Sequence, residues 1–225
     1  MVVEAKRERG AERRERLTRQ RVLEAAVDLA DRDGIESVSM RRLGQHLGIE
    51  AMSLYTHVRS KDDLLDGMVE VVMGKLPPVN VDDPWKAALR GAILGARDIL
   101  LRHPWTTDVI ETRAAPGLAM LRQYDTVMGI LRGGGFSLEL THHALHLLGS
   151  RLLGFTRELF DDSPNPDPEA AAMLAKQLGA TYPHVAEMAL AATHEGGLGG
   201  CDTDVEFAFA LDVILDGLEQ LRDGA

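Results

Sequence analysis

Residues 37–61, SVSMRRLGQHLGIEAMSLYTHVRSK, constrain this chain more than any other stretch. Ser39 is placed as an N-cap, where a hydroxyl oxygen can accept a bond from an unpaired first-turn N–H. Val38 before it and Leu43 four residues after it have the spacing of a hydrophobic staple. Leu43 and Leu47 then share a face. Gly48 stands where a helix ends with φ > 0, and Ile49 follows as an apolar plug. A second helix is expected from about Ala51 to Val58, with Leu54 and Val58 turned inward. Ser60 caps the helix after it, and Asp62 and Asp63 suit the dipole of its first turn. Helix, glycine turn, helix is the layout whose second helix enters the DNA major groove. An ordinary helical hairpin with a solvated basic face has the same spacing.

On the side away from Leu54, Ala51, Met52, Ser53 and Thr56 carry short or unbranched groups. Ala and Thr methyls suit the thymine methyl, and hydroxyls can meet base or phosphate. Gly34-Ile35, Ser39, Arg41, Leu43, Gly48-Ile49, Ser53-Leu54-Tyr55, His57-Val58 and Ser60-Lys61 together resemble the DNA-binding domain of TetR-family transcriptional regulators, in the tetracycline-repressor-like branch. The resemblance covers residues 18–65. It implies that Tyr55, His57 and Lys61 lie at or near phosphates and that Arg41 reaches a guanine edge or the backbone. Ser39 joins this expected contact set. Tyr55 has a partly core alternative, and Arg42 a merely solvated one. The resemblance further implies a repressor that binds a palindromic double-stranded operator as a homodimer and is released by a small-molecule effector.

The formal charge of −10 is divided unevenly along the chain. Residues 1–61 hold 13 Lys+Arg against 10 Asp+Glu, net +3, and residues 62–225 hold 12 against 25, net −13. An acidic remainder leaves the basic end to face a duplex, though acidity also simply keeps a protein dissolved. Few aromatics and many Ala, Leu and Met residues favour packed helices, so the expected class is all-α. Cys201 is the single cysteine, which excludes an internal disulfide and fits a reducing compartment. No apolar run approaches a membrane span and no secretory signal is visible, so a cytoplasmic location is expected.

The expected organisation is a basic flexible arm (1–17), a DNA-binding head (18–60) and an effector-binding and dimerisation body (61–225). Thr18 caps a first helix to about Asp33. A connecting helix runs from Ser60 to about Leu76, where Pro77 and Pro78 stop it. Helices then follow at 85–102, from Pro116 to about Leu131, from Ser137 to about Phe160, at 168–178, at 183–193 and from about Asp202. A short segment occupies 105–113, the loops lie at 161–168 and 196–200, and Gly133 to Gly135 break a helix. By the resemblance, the helices from Ser137 and Asp202 form a four-helix dimer interface, with Leu211 and Leu215 in it.

For the effector, Trp105, Arg113, Tyr124, Met128, His146 and Phe155 are the candidate pocket residues, suiting an apolar or amphipathic molecule. Thr112-Arg113 followed by Pro116 loosely resembles a segment near the tetracycline pocket. Val109, however, stands where that pocket has a metal-binding histidine. His142, His143 and His146 have the i,i+3 and i,i+4 spacings that metal sites use, but no HExxH glutamate accompanies them. They read as pocket or interface residues, and no metal or cofactor is expected. The competing reading is an all-α enzyme or carrier that uses this cluster. No nucleophile elbow, P-loop or CxxC supports an enzyme.

Overall fold

The computed structural model of the chain describes residues 17–80, 83–113, 115–154, 173, 176–192 and 203–224. Most of the basic arm, the loops at 161–168 and 196–200, Phe155, Cys201 and Asp202 lie outside them. The described elements are all helical: α1 (Arg19–Asp33), a 3-10 turn (Ile35–Ser37), α2 (Met40–Leu47), α3 (Ala51–Leu54), α4 (Lys61–Met73), α5 (Trp85–Arg102), α6 (Trp105–Glu111), α7 (Leu118–Gly133), α8 (Leu138–Gly154), α9 (Pro183–Ala192) and α10 (Thr203–Asp223). The expected all-α class holds. Among the described residues no helix is long and apolar enough to cross a membrane.

Two compact units divide the chain, residues 1–78 with 95–126 and residues 79–94 with 127–225. The core of the first is built by α1, α2, α3 and α4. Val22, Ala26, Leu29, Leu43, Leu54, Val58, Leu64 and Met68 are closed to solvent, with Ile99, Trp105 and Val109 joining them. Burying a Leu, Val or Met fully is worth ~1.5–3 kcal/mol, so this core suffices to hold short helices that would not form alone. Thr18, Ser39 and Ser60 cap α1, α2 and α4 by accepting from the N–H groups of Arg21, Arg42 and Asp63. Val38 and Leu43 are both fully buried, as a staple requires.

α2 and α3 meet closely because residue 44 is glycine. A Cβ there would stand 2.9 Å from the Ile49 carbonyl oxygen and 3.1 Å from the Ala51 nitrogen, both backbone atoms that cannot swing aside. Gly48 ends α2 at φ 68°, ψ 32°, the left-handed conformation that β-carbons disfavour. α3 is shorter than its apolar spacing predicts. It closes at Leu54 and tightens into turns, with Thr56 Oγ1 donating to the Ser53 carbonyl at 2.7 Å, and Val58 still reaches the core. α7 begins at Leu118 rather than Pro116, and the connecting helix α4 stops at Met73, before Leu76.

In the second unit, Leu89 and Ile93 of α5, Leu131 of α7, Ala144 and Leu148 of α8 and Phe207, Leu211, Leu215 and Leu218 of α10 form one core with Phe136. Trp85 meets Phe136 edge-on at 4.7 Å, and the Arg222 guanidinium lies 5.3 and 5.7 Å from the two ring centres. Lys86 pairs with Asp216 and Glu219, and Arg90 clasps Asp212 through two nitrogens. These bonds raise the Lys86 and Arg90 pKa values and hold Asp212 below the usual carboxylate range.

Leu211 and Leu215, expected at a dimer interface, are completely buried within the single chain. The residues that α10 turns outward are Val205, Phe209, Val213 and Leu221, each more than half exposed. The apolar residues of α10 exceed one face, and the closed core takes the row containing 207, 211, 215 and 218.

Candidate nucleic-acid interface

The outer face of α2 and α3 assembles from the caps upward. Ser39 is spent on capping α2, its oxygen 3.2 Å from the Arg42 nitrogen. The two arginines that follow differ. Arg42 Nη2 donates to Asp33 at 2.8 Å, tying α2 to the end of α1. Arg41 is exposed, and no ion pair or hydrogen bond engages its side chain among the described residues. Met52 is 72% exposed, Ser53 and Thr56 are exposed, and Ala51 is half-buried. Tyr55 is 47% exposed, so its ring is not committed to the core. His57 is half-buried, and Lys61 is exposed on the first residue of α4 with no ion pair among the described residues.

The turn between α3 and α4 is held by a lock that sequence spacing does not reveal. Arg19 donates to the Asp63 carboxylate at 2.7 and 3.1 Å and to the His57 carbonyl oxygen at 2.8 Å. The Arg59 N–H also donates to Asp63, at 2.7 Å. The Arg19 guanidinium first, then the Arg59 N–H, hold the Asp63 carboxyl below its ordinary range. Carboxylate, carbonyl and cap thus fix where the segment carrying Tyr55, His57 and Lys61 stands against α1. Forty-four residues separate Arg19 from Asp63, and an acid in a first helical turn is their one local signal.

A second polar hub lies on the other end of α1. Asp31 accepts from Trp105 Nε1 at 2.6 Å and meets His103 Nδ1 at 2.8 Å, while Lys75 Nζ lies 3.3 Å from His103 Nε2. An ammonium only donates, so Nε2 accepts and Nδ1 carries the proton given to Asp31. Trp105 is 4% exposed and engaged through its one polar atom.

Of the expected effector set, Trp105 and Tyr124 pack in the first core and Met128 and His146 belong to the second unit. Phe155 is outside the described residues. Arg113 alone of the set lines a cavity of about 210 Å³ in the first unit. Its Nη1 donates to Asp62 at 2.9 Å and its Nε lies 3.0 Å from Asp66. Val69, Glu70, Ile110 and Met120 complete most of the wall. Asp66 and Glu70 are not among the expected site residues, although Asp62, Asp66 and Glu70 recur at one-turn spacing on α4. His142, His143 and His146 are exposed on α8, with the 142 and 146 rings 4.6 Å apart. Among the described residues no group of three or more His, Cys, Asp or Glu side chains can hold a metal ion.

Residues 22–68 match the family described as bacterial regulatory proteins, tetR family, and residues 77–222 match the tetracyclin repressor-like C-terminal domain. An HTH-type transcriptional regulator of Saccharopolyspora erythraea is 37% identical over 121 residues, 53% of this chain and 51% of that protein. The HTH-type transcriptional repressor DrrR1 of Streptomyces coeruleorubidus is 33% identical over 218 residues, 91% of this chain and 78% of the relative. The fold is similar to that of ActR from Streptomyces coelicolor, solved in complex with actinorhodin, with a TM-score of 0.69, 25% identity and coverage of 92% of this chain and 98% of the other. The two family matches span both the region that carries the α2–α3 face and most of the remainder. The chain belongs to the TetR family of transcriptional regulators.

Proposed function

We propose that this regulator is a cytoplasmic, non-enzymatic repressor that binds a palindromic operator as a homodimer and leaves it when a small molecule binds. Residues 18–60 are the DNA-reading head and residues 61–225 the effector and dimerisation body. The observation that carries the reading is the face running from α2 and α3 to the start of α4, where Arg41, Met52, Ser53, Tyr55 and Lys61 are exposed. On this reading Lys61, Tyr55 and His57 meet phosphates, Arg41 meets a guanine edge or phosphate, and Ala51, Met52, Ser53 and Thr56 meet bases. The Ser39 cap positions α2 against the backbone. The repressor named among the relatives and the actinorhodin complex of ActR support repression and ligand response.

The dimer buries the outward row of α10, with α8 beside it, in an isologous contact. Two heads then engage half-sites about one helical turn apart, ~34–36 Å. The effector acts through α4, whose first residue is Lys61 and whose acidic face meets Arg113. A tilt of α4 moves the heads out of register with the groove.

The test is to sequence the genomic fragments that the purified protein retains and to measure binding to them against salt. The expected result is enrichment of a palindrome, with a salt slope that falls by about one unit in Lys61→Ala. Retention without site preference, or binding indifferent to salt, would sink the reading.

A further inference from the structure

The acidic row of α4 says what kind of molecule suits the cavity it borders. Asp62, Asp66 and Glu70 stand on one face of α4 at successive turns. Arg113 answers the first two. Glu70 has no ion pair within 4.0 Å among the described residues. Its electrostatic neighbour Arg19 is already bidentate on Asp63. The cavity wall therefore holds two carboxylates and one guanidinium against the apolar surfaces of Val69, Ile110 and Met120. An anion entering there meets an unanswered carboxylate, and a neutral molecule gains only the apolar contact. A cation gains both.

Two further observations narrow the class. At about 210 Å³ the space is below the ~300–1,000 Å³ of drug-sized sites, which fits a single ring with a short polar arm. Arg113, on the wall, keeps a buried Nη2 with no hydrogen-bond partner among the described residues, and an acceptor oxygen beside the cationic group reaches this unsatisfied donor once the guanidinium swings away from Asp66.

We propose that this cavity binds a small aryl-alkyl ammonium carrying a neighbouring hydroxyl, whose cationic group pairs with Glu70 and competes with Arg113 for Asp66. The ring lies against Val69, Ile110 and Met120, and the hydroxyl oxygen accepts from Arg113. A cation at Asp66 loosens the clasp that Arg113 makes on the first two turns of α4. That last step rests on the regulator reading; occupancy of the site does not.

The experiment titrates the full chain, without DNA, with three probes of one shape: 2-amino-1-phenylethanol, its neutral isostere 1-phenylpropan-1-ol and the anion mandelate. The amine is expected to bind about fivefold more tightly than the alcohol, the scale of one partly solvated ion pair, with mandelate weakest. Glu70→Gln, at an exposed position, is expected to remove most of the amine's advantage over the alcohol and leave the alcohol unchanged. Equal binding of amine and alcohol, no saturable binding of the amine, or an amine indifferent to Glu70→Gln would each overturn the site. Repeating the amine titration with a retained operator fragment bound tests the clasp: weaker binding supports it, and equal binding overturns it. Failure of the DNA-free arm leaves DNA-directed regulation standing, whereas failure to bind any DNA removes regulation and leaves the site.

Discussion

The outward faces of α2–α3 and of α10 are made of opposite materials. The first presents Arg41, Ser53, Tyr55 and Thr56, with Lys61 beside them at the start of α4 and Met52 as its most exposed apolar side chain. The second presents Val205, Phe209, Val213 and Leu221 in a row spaced by four or eight residues. Both regions back onto closed cores, so neither outward face is needed to fold its own unit. A solvated basic face gains by releasing counterions from a polyanion, and a row of apolar side chains gains only by covering with another apolar surface. On the proposed reading, the contrast separates what recognises a partner by charge from what pairs by loss of water.

The strongest way to break the comparison is on α10 itself. Leu211→Glu buries an unpaired charge, which costs about 3–5 kcal/mol and should unfold the second unit, seen as lost helicity and an early melt. Phe209→Glu, two residues away but exposed, should keep the melt of the parent and sediment as a monomer with weak operator binding. A Phe209→Glu protein that stays dimeric would remove α10 from the interface. Next in size is Gly44→Val, which forces the α2–α3 backbones apart and should destabilise the first unit by about 1–3 kcal/mol in a thermal melt.

A sharper division lies between neighbouring arginines. Arg41→Ala should cost operator affinity by about 1–3 kcal/mol if its contact is a base edge, with relaxed preference at one position in a binding-site selection. Arg42→Ala should cost less affinity and some stability, because its side chain is tied to Asp33. The smallest effect concerns acid. Asp63 titrates lower in the folded chain than its unfolded value of ~3.9, so its contribution is complete above that pH and is lost as pH falls through the folded value. Asp63→Asn should flatten that limb of a pH–stability curve by under about 1 kcal/mol, since the pair is partly solvated.

Features set within three or four residues are legible in the sequence alone. Thr18, Ser39 and Ser60 cap through bonds to the third residue onward, and Gly48 ends α2 by its own dihedral angles, so local pattern suffices. The Arg19–Asp63 lock and the Asp31 hub join residues 44 and 72–74 positions apart, and beyond an acid in a first helical turn nothing local marks them as partners. The inward face of α10 escapes sequence reasoning for a different reason. Apolar residues at 205, 207, 209, 211, 213, 214, 215, 218 and 221 encircle the helix, so periodicity cannot choose the inward row. Packing against Leu89, Leu131 and Phe136 chooses it. Trp105 stands in the expected effector set, yet its indole N–H is taken by Asp31. Sequence singles out Arg113 but not its partners on α4.

The brevity of α3 bears on how much information one head can carry. Four helical residues rise only ~6 Å, less than the height of two base pairs at ~3.4 Å each. A site that is unique among ~10⁷ genomic positions needs about 12 specified base pairs, since each pair supplies at most a factor of four. With α3 as the proposed reader, one such short element, even helped by Arg41, falls well below that number. On the proposed reading, selectivity in this regulator is therefore a property of the assembled pair. A mutation that leaves every base contact intact but changes the distance between heads erases an address as completely as one that removes the contacts.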